Sequence, residues 1–386
     1  MTATADIVVI GAGIVGASIA QQLTRHDGGS VVICEQYWAG GQTATAQSGG
    51  MLRLHHTAEC DIELAARSLP TYQRFGQAVG GYCGYMPSGF ALLVGAEQVD
   101  AMSRNVDKAR FLGCKIELLE PSQLTRLYPG LCLHGVAAAA YEPHGGYGNP
   151  AATTRDLLLA ARSGGATVLG GVRAEQLLTC GERISGVRTN IGEVRATTVV
   201  LAGGAASARL ASTVDLNLPI IAQPIGIALS RSGDGTGFQI PATIDDTIGN
   251  YFRPDGQPDM YFGVPCRPEP APPWPDHALC AEDIELARAQ LWHRVPALRQ
   301  GHIVGTRCGV DGYTPDRHPL IGPAGPEGLY LATGMSGGGY KLAPAVGELV
   351  AKEIRTDAEQ SLLAPYRPRR FADDKPIVAE FGYRWM

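Results

Sequence analysis

The sequence predicts an α/β protein of two lobes, the first built on a parallel sheet covered by helices. Residues 6–10, DIVVI, are short, β-branched and apolar on both faces, as a buried parallel strand is. A helical pattern follows at 13–26, and a second apolar run at 28–36 is typical of the next strand. Short strands and turns then occupy 168–200, while 216–305 contains mainly strands and loops. The opening β-α-β unit therefore predicts a parallel sheet, and the later strands predict a second lobe.

The composition is typical of a globular protein and excludes several classes of partner. The chain has 386 residues, 45% of them hydrophobic, and a formal net charge of −5. This acidic balance gives no reason to expect nucleic acid or an anionic membrane as a partner. The nine cysteines are widely spaced and form no CxxC pair, so we expect no metal site and a reduced, cytoplasmic location. The first apolar run is shorter than the about 20 residues of a bilayer span, so no membrane span is expected.

The remaining elements follow from helical spacing and from residues that end helices. Four further segments are predicted to be helical: 61–79, 120–131, 150–163 and 281–292. The short helix within 120–131 is ended by Pro129 and Gly130. Residues 327–354 are predicted to form a strand, a glycine loop and a final helix that begins near Leu342.

Three glycines between the first strand and the first helix form the pattern G-x-G-x-x-G. Gly11 permits a tight turn, Gly13 lets the backbone approach a pyrophosphate, and Gly16 lets the helix pack close to the sheet. The helix N-terminus then offers N–H groups and a positive dipole end to the phosphates. Glu35 ends the second strand, about 20 residues further on, where a carboxylate can accept both ribose hydroxyls. NAD and FAD both use this fingerprint, so the choice of dinucleotide is open at this point.

Further motifs extend the pattern over nearly the whole chain. They are, in order, VVIGAGIVGASIAQQL, GGQTATAQSGGMLRL, YEPHGGYGNP, TTVVLAGGAAS, GYTPDRHPLIGP, GLYLATGMSGGGYKLAPAVGELVAKEI and YRPRRF. In this ordered set the chain resembles the D-amino-acid oxidase-like FAD-dependent oxidoreductases, the family that includes glycine oxidase and monomeric sarcosine oxidase.

The resemblance implies a fold class and a domain organisation. We expect a Rossmann-like FAD-binding domain of the glutathione-reductase type and a second, α+β substrate domain built on a mostly antiparallel sheet. The FAD-binding domain is expected to be discontinuous. The expected bounds are 1–82, 142–215 and 306–370 for the FAD-binding domain, 83–141 and 216–305 for the substrate domain, and 371–386 for a C-terminal extension.

The resemblance also implies an FAD site assembled from both ends of the chain. The glycine loop before the last helix would hold the pyrimidine end of the flavin ring, and the positive end of that helix would stabilise the reduced flavin. A simple NAD dehydrogenase does not need a C-terminal segment that returns to the nucleotide-binding domain, so FAD is favoured over NAD. The expected contacts are Gly11, Gly13, Ile14, Val15, Gly16, Glu35, Gln36, Thr43, Thr45, Ser48, Gly49, Gly50, Met51, Val172, Ala202, Gly203, Gly204, Gly312, Gly337, Gly338, Gly339, Tyr340 and Lys341.

A carboxylate substrate requires a cationic anchor, and two residues match sarcosine-oxidase-like positions. The Arg53 guanidinium can hold a carboxylate through two hydrogen bonds, while Lys341 supplies a point charge. Tyr251 and Arg253 alternate on one predicted strand and therefore share a face. They can form a second carboxylate clamp or an ordinary strand pair, and the sequence leaves both readings open.

Two positions depart from monomeric sarcosine oxidase. Tyr261 stands where that enzyme has a lysine that helps to activate oxygen, so an acceptor other than oxygen is plausible. That enzyme also attaches its flavin to a cysteine before the TPD turn. Here Cys308 lies one residue away and Gly309 occupies the matching position, so non-covalent FAD is predicted. Asp316, within the TPD turn, either braces the C-terminal loop or caps the turn.

The sequence therefore predicts an enzyme that oxidises the C–N bond of a small amino acid or N-substituted amino acid to an imine. The hydride would pass to flavin N5, and the final acceptor would be oxygen or a redox partner. Two alternatives stay open. One is an FAD-dependent 2-hydroxy-acid dehydrogenase, in which His55 or His56 would remove the hydroxyl proton. The other is a flavin-carrying subunit of a hetero-oligomeric amino-acid dehydrogenase. A homo-oligomer is also left open, since the aromatic end of the chain either packs on a neighbouring subunit or frays.

Overall fold

The structure, a computed structural model, describes residues 2–383 apart from 26–28, 39, 42, 234, 236 and 267–278. Within these residues the strands are β1 (Thr2–Thr4), β2 (Ile7–Ile10), β3 (Val31–Glu35), β4 (Met51–Leu52), β5 (Phe90–Val94), β6 (Glu117–Leu119), β7 (Ala138–Glu142), β8 (Gly146–Tyr147), β9 (Thr167–Gly170), β10 (Ala174–Cys180), β11 (Arg183–Thr189), β12 (Gly192–Arg195), β13 (Thr198–Leu201), β14 (Ile221–Arg231), β15 (Ala242–Asp245), β16 (Asn250–Pro254), β17 (Asp259–Val264), β18 (His302–Tyr313), β19 (Leu320–Pro323) and β20 (Leu329–Thr333). The α-helices are α1 (Ile14–Thr24), α2 (Glu59–Gln73), α3 (Phe75–Ala78), α4 (Val99–Phe111), α5 (Pro121–Leu127), α6 (Pro150–Ser163), α7 (Ser207–Ala211), α8 (Ala281–Arg294) and α9 (Gly339–Thr356).

The first lobe is built on a six-stranded sheet with the strand order β19-β20-β13-β2-β3-β9. Its neighbouring strands are parallel except for β19, which is antiparallel to β20. Along β2, Ile7 and Val9 face the layer of α1 and α9, whereas Val8 and Ile10 face the small sheet β1-β12-β11-β10. Helix α1 packs against both α6 and α9. The predicted parallel sheet is therefore confirmed, and both of its faces are covered, as the apolar pattern of DIVVI requires.

The second lobe is built on an eight-stranded sheet with the strand order β18-β14-β17-β16-β15-β5-β7-β6. One pair, β15 with β5, is parallel, and the other pairs are antiparallel. Helix α8 packs on β16 and β17, where Phe252, Phe262 and Leu291 are fully buried. The prediction of a mostly antiparallel second sheet is confirmed.

Strand β18 connects the two lobes. It pairs with β14 along its length, from His302 opposite Arg231 to Tyr313 opposite Ile221. At its far end, the Gly312 carbonyl accepts a hydrogen bond from Ser336 N at 3.0 Å, so the strand reaches the loop that precedes α9. The domain boundary expected at residue 305 lies inside this strand, and the domain bounds stay a prediction.

The helices agree with the predicted segments, with four differences. The segment predicted at 61–79 is divided into α2 and α3 at Arg74, and the five-residue helix α7 was not predicted. Helix α9 begins at Gly339, three residues before the expected start at Leu342. Helix α4 was not predicted, although Met102, Val106 and Ala109 are buried at spacings of four and three residues, which is a helical pattern. Among the described residues, no helix has both the length and the apolar character needed to cross a membrane.

Candidate active site

A cavity of about 990 Å³ opens where β2, β3, β13 and β20 end at the same edge of the parallel sheet. This is where α/β sheets bind their ligands, in the crevice at the carboxyl ends of the strands. The cavity is lined by Arg53, Tyr251, Lys341 and every expected cofactor contact except Gly16, Val172 and Gly312. Segments nearly 300 residues apart in sequence thus meet around one space, as the family resemblance implies.

The three exceptions, Gly16, Val172 and Gly312, pack against residues that line the cavity or against their neighbours. A Cβ atom at Gly16 would lie 2.0 Å from the Gly11 carbonyl oxygen, so this glycine allows α1 to pack against the loop. Val172 lies between β9 and β10, and its backbone N–H donates to the Glu35 carbonyl at 2.8 Å. Its neighbour Arg173 lines the cavity instead. Gly312 packs its backbone against Ala205, where a Cβ would lie 3.2 Å from the Ala205 backbone.

The loop between β2 and α1 exposes backbone to one end of the cavity. Gly11 has φ +99°, and a Cβ there would lie 2.5 Å from the Ala202 carbonyl oxygen. The first-turn amide of Ile14 donates to Thr45 Oγ1 at 3.1 Å. Thr45, in the segment that follows β3, therefore caps α1. The cavity wall here is formed by main chain and small side chains.

Glu35 holds a buried carboxylate beside this loop. Its Oε2 accepts a hydrogen bond from Ala12 N at 2.7 Å, and its Oε1 accepts one from Tyr37 N at 3.0 Å. Burial raises the pKa of Glu35, against these backbone hydrogen bonds, which lower it. The bonds fix both oxygens at the cavity wall, and each oxygen keeps a lone pair for a further donor. Diol hydroxyls of a ribose are such donors.

These observations fit a dinucleotide such as FAD. The loop at Gly11, whose space a single Cβ would fill, lies beside the N-terminus of α1, and this arrangement suits a pyrophosphate. The buried acid lies beside it. Gln47, between these groups and the second lobe, leaves its buried Oε1 without a hydrogen-bond partner among the described residues. At the other side of the cavity, Gly337, Gly338 and Gly339 lead into the N-terminus of α9.

Arg53 and Lys341 lie in the wall of the same cavity and influence each other electrostatically. The pKa of Lys341 is lowered to about 7, first by burial and then by the positive charge of Arg53. Burial lowers the pKa of Arg53 to about 10, while Glu142 and Asp61 oppose that shift. Lys341 Nζ donates to the Gly337 carbonyl at 3.0 Å, within its own helical turn. Asp61 and Asp311 likewise oppose the shift of Lys341, but among the described residues neither cation forms an ion pair with a carboxylate, so both can bind an anion.

Two lining residues at this end, Asp61 and His318, were not predicted from the sequence. His318 Nε2 lies 3.2 Å from Asp61 Oδ2, and its Nδ1 lies 2.6 Å from the Asp316 carbonyl oxygen. Since both ring nitrogens face acceptors, the arrangement favours the imidazolium form. Burial opposes that charge, but Asp61 and Asp316 raise the pKa of His318 overall. The Tyr366 hydroxyl donates to Asp61 Oδ1 at 2.6 Å.

The two histidines after Arg53 differ in their placement. His55 is fully buried outside the cavity lining, with its Nε2 2.6 Å from the Tyr383 hydroxyl. Burial lowers its pKa to about 3, and Arg53 adds to the shift. His56 lines the cavity, and its buried Nε2 has no hydrogen-bond partner among the described residues. Burial, followed by the charges of Arg53 and Lys341, holds the pKa of His56 well below its ordinary value.

Tyr251 and Arg253 are not brought together as a clamp. The Tyr251 ring lines the cavity, but the Arg253 guanidinium lies between the Tyr147 and Tyr261 rings, 4.5 and 4.4 Å from their centroids. It donates to the Gly49 carbonyl and, at 2.6 Å, to Asp255 Oδ1. Arg253 thus supports the glycine segment from behind, and a direct contact with substrate has no geometric support.

Asp316 takes both of its expected roles: it braces the C-terminal part of the chain, and it caps its own turn by accepting hydrogen bonds from His318 N at 3.2 Å and Thr314 Oγ1 at 3.1 Å. Its carboxylate accepts hydrogen bonds from Arg370 Nε at 2.7 Å and from Arg370 Nη2 at 2.9 Å, and it also accepts one from Ile377 N at 3.0 Å. Beyond this brace, Ile377 and Ala379 line the cavity. The extension therefore contributes to the site, and nothing in the sequence pattern of 371–386 placed it there.

Comparison with known proteins gives results consistent with this site. The family described as FAD dependent oxidoreductase (DAO) matches residues 6–353. Mitochondrial sarcosine dehydrogenase of Homo sapiens is 25% identical over 386 residues, which cover 96% of this chain but only 42% of that protein. Sarcosine oxidase subunit beta of Arthrobacter sp is 24% identical, and the match covers 98% of this chain and 93% of that subunit.

A solved structure extends the comparison to the fold. L-Proline dehydrogenase from P. horikoshii superimposes with a TM-score of 0.90 and 26% sequence identity, covering 97% of this chain and all of that one. The match of the family to more than nine-tenths of the sequence confirms the resemblance drawn from the motifs. The chain belongs to the DAO family of FAD-dependent oxidoreductases.

Proposed function

We propose that this chain binds FAD non-covalently and oxidises the C–N bond of a small amino acid or N-substituted amino acid to an imine. The observation that carries the proposal is the placement of Arg53 and Lys341 in the wall of the cavity that also holds the glycine cradle and Glu35. A cation pair beside a flavin site supports a substrate with a carboxylate next to the reacting carbon. The names of the relatives, which include sarcosine dehydrogenase and L-proline dehydrogenase, support the same substrate class.

In this proposal the residues of the chain bind and orient. FAD, when bound, supplies the hydride acceptor N5. The loop at Gly11 and the N-terminus of α1 hold the diphosphate, and Glu35 accepts the ribose hydroxyls. Arg53 and Lys341 hold the substrate carboxylate, which restricts the substrate to one orientation and lowers the entropic part of the barrier. The N-terminus of α9 directs positive potential into the cavity.

The placement of Gly309 supports non-covalent binding. A Cβ at residue 309 would lie 2.6 Å from Gln47 Cγ, and Gln47 lines the cavity. Cys308, one residue earlier on β18, points to the opposite face because side chains alternate along a strand. The thiol is thus turned away from the position that could reach a flavin. Precipitation of the holoenzyme with acid is expected to release all of its flavin into the supernatant.

The histidine placement favours an amine over a 2-hydroxy acid. Removal of a hydroxyl proton needs a base within hydrogen-bond reach of the substrate. His55 lies outside the cavity lining, and the low pKa of His56 makes its imidazole a weak base. An amine with a free electron pair can lose hydride without a separate protein base, so the amine fits this site better.

A flavin-carrying subunit of a larger complex is the second candidate. Tyr261 stands where the oxygen-activating lysine of monomeric sarcosine oxidase would be, and it donates to the Gln47 carbonyl at 3.2 Å. One relative, matched over 93% of its length, is named as a subunit of sarcosine oxidase. The first observation favours an electron acceptor other than oxygen, and the second supports a place in a complex of several subunits. A homo-oligomer stays a further proposal, as does a cytoplasmic location, which the nine free cysteines support.

The test is anaerobic mixing of the purified yellow protein with a panel of amino acids, N-methyl amino acids and 2-hydroxy acids, followed by admission of air. We expect bleaching of the flavin by at least one amine and none by hydroxy acids. Bleaching by hydroxy acids alone would contradict the proposal. Rapid return of colour in air would identify an oxidase, whereas slow return that is accelerated by an artificial acceptor would favour the second candidate.

A further inference from the structure

The last described residues, 377–383, form a segment outside the helices and sheets that turns at 380–381 and has two distinct faces; we call it the C-terminal strap. Its side chains alternate: residues 377, 379, 381 and 383 are partly or fully buried, and residues 378, 380 and 382 are exposed. A period of two is the signature of an extended chain packed on one side only. The segment therefore lies flat on the surface of the molecule, with a defined inner face.

One end of the strap is fixed at Asp316. The Ile377 amide donates to Asp316 Oδ2 at 3.0 Å, on the carboxylate that also binds Arg370. The side chains of Asp316 and Arg370 are only 3% and 5% exposed. A charge-assisted pair that is buried and bidentate holds its geometry well. His318, two residues after Asp316, lines the cavity, so this anchor adjoins the cationic end of the site.

The other end is fixed on helix α4 and on the segment after Arg53. Asn105 Nδ2 donates to the Phe381 carbonyl at 2.8 Å and to the Tyr383 hydroxyl at 3.0 Å. The same hydroxyl lies 2.6 Å from His55 Nε2. The Arg53 guanidinium in turn donates to the His55 carbonyl. A chain of contacts thus runs from Tyr383 through His55 to Arg53, the proposed carboxylate anchor.

Between the two anchors, Ile377 and Ala379 project inward and line the cavity. Val378 projects outward and is 75% exposed. Because the anchors lie beside His318 on one side and Arg53 on the other, the two inward side chains must border the end of the cavity that holds the cations. They add an apolar surface to the cavity that Arg53 and Lys341 also line, which suits the non-polar part of a small amino acid.

We propose that the C-terminal strap forms a wall of the substrate subsite, and that the side chains at 377 and 379 limit the size of the substrate. This inference rests on the proposed function for the identity of the substrate. Tyr383 acts as a positioning residue that holds Arg53 through His55. Two side chains of different volume in one apolar wall provide a size limit, and one methylene in such a wall changes affinity by about tenfold or more.

The test measures the binding of carboxylates of increasing size to the FAD-loaded protein through the perturbation of its visible spectrum. Acetate, propionate, butyrate and cyclohexanecarboxylate form the series. Ile377→Ala is expected to improve the affinity for the largest members relative to acetate by about tenfold, and Ala379→Val is expected to shift the preference in the opposite direction. Val378→Ala, on the outer face of the same strap, is the matched control and should leave the series unchanged.

The outcomes separate the two proposals. Opposite shifts in the two inward variants support the strap as a wall, even if no amine bleaches the flavin and the proposed function fails. Parallel size profiles in the parent, both inward variants and Val378→Ala would overturn the strap proposal, as would the absence of any carboxylate binding. If Ile377→Ala does not retain FAD, the carboxylate series measured on Ala379→Val decides whether the strap is a wall of the subsite.

The positioning role of Tyr383 has its own readout. Tyr383→Phe removes one hydroxyl and keeps the ring. The affinity for acetate is expected to fall, while the size ranking of the series stays as in the parent. With a substrate that bleaches the flavin, KM should rise more than kcat falls. An unchanged acetate affinity in Tyr383→Phe would show that Arg53 does not depend on this contact.

Discussion

The two ends of the cavity are built in different ways. The end that we propose to hold the diphosphate, the diphosphate end, consists of main chain: the loop at Gly11, the first turn of α1, and one acid held by backbone amides. The end that we propose to hold the substrate, the substrate end, consists of side chains from distant segments, among them Arg53, Lys341 and the inward residues of the C-terminal strap. Ligand binding at the diphosphate end depends on the space left open by glycines, which have no side chain. Ligand binding at the substrate end depends on the charge and volume of the side chains. Substitutions should therefore act on the two ends through different physical causes, which four predictions test.

The largest effect is expected from Gly11→Val at the diphosphate end. A side chain there would meet the Ala202 carbonyl oxygen at 2.5 Å from a backbone with φ +99°, which strains the loop by about 1–3 kcal/mol or more. We expect the purified variant to lose FAD during gel filtration and all activity with it, since a strain at the upper end of this range, about 3 kcal/mol or more, lowers the affinity more than about 100-fold. The measurement is the ratio of flavin to protein absorbance after the column.

Gly305→Ala is the matched control, because a Cβ at this glycine of β18 would meet no atom within 4 Å. It should retain FAD like the parent. Full FAD retention by Gly11→Val would contradict the steric account of this end.

At the substrate end, Lys341→Met is expected to act on charge alone. It removes a buried cation while keeping an unbranched side chain, so FAD should stay bound. Loss of one charge from a desolvated pair is expected to raise KM on the order of 100-fold. Steady-state kinetics with the best amine of the panel provide the measurement. Lys352→Met, on the exposed side of the same helix, should change KM by less than a factor of about two. Equal effects of both lysine variants would refute a specific role for Lys341.

Arg253→Met tests which end Arg253 belongs to. The guanidinium supports the Gly49 carbonyl and lies between two tyrosine rings, so its loss should lower the free energy of unfolding by about 2 kcal/mol and weaken FAD retention. Carboxylate affinity of the loaded protein should change little. Urea unfolding and the acetate titration measure the two quantities.

The control for this prediction is Arg231→Met on strand β14 of the same sheet, where the arginine pairs with Asp259 at the surface. It should cost less than about 1 kcal/mol. A large loss of acetate affinity in Arg253→Met, with stability intact, would restore the clamp interpretation.

The smallest expected effect is a pH dependence of carboxylate binding. Lys341 is cationic below its pKa of about 7 and neutral above it, with Arg53, Asp61 and Asp311 as its charged neighbours. Acetate should therefore bind more weakly as the pH rises from 6 to 8, by at most about tenfold per pH unit, since binding takes up one proton. Lys341→Met should abolish this step. A flat titration in the parent would show that the amine stays charged over this range.

The same contrast explains what could be predicted from the sequence. The diphosphate end is local: Gly11, Gly13 and Glu35 lie within one β-α-β unit, so spacing alone indicates their meeting. Arg53 and Lys341 required the ordered motifs of a family, because no local pattern brings together residues so far apart. Helix α4 carried a readable pattern at Met102, Val106 and Ala109 that was overlooked.

Other parts of the site were not predictable from pattern. Asp61 and His318 meet only because α2 and the turn before β19 pack side by side. Alternation on β16 predicted that Tyr251 and Arg253 share a face, but Asp255 and the two tyrosine rings hold the Arg253 guanidinium outside the cavity lining. The inward face of the C-terminal strap depends on two tertiary anchors, at Asp316 and at Asn105, that have no local signature.

Strand β18 has a consequence for how small molecules enter and leave. It is paired with β14 over its whole length, and its last residues are hydrogen-bonded to the loop that begins α9. A hinge rotation of one lobe against the other would have to break the hydrogen bonds that Gly312 and Asp311, at the end of β18, accept from the loop before α9. Substrate and product should instead enter and leave through an opening whose position is fixed and whose edge residues move only locally. The turnover rate would then depend on local opening motions of short segments at this entrance. Relaxation-dispersion NMR of methyl groups at the entrance can detect such motions.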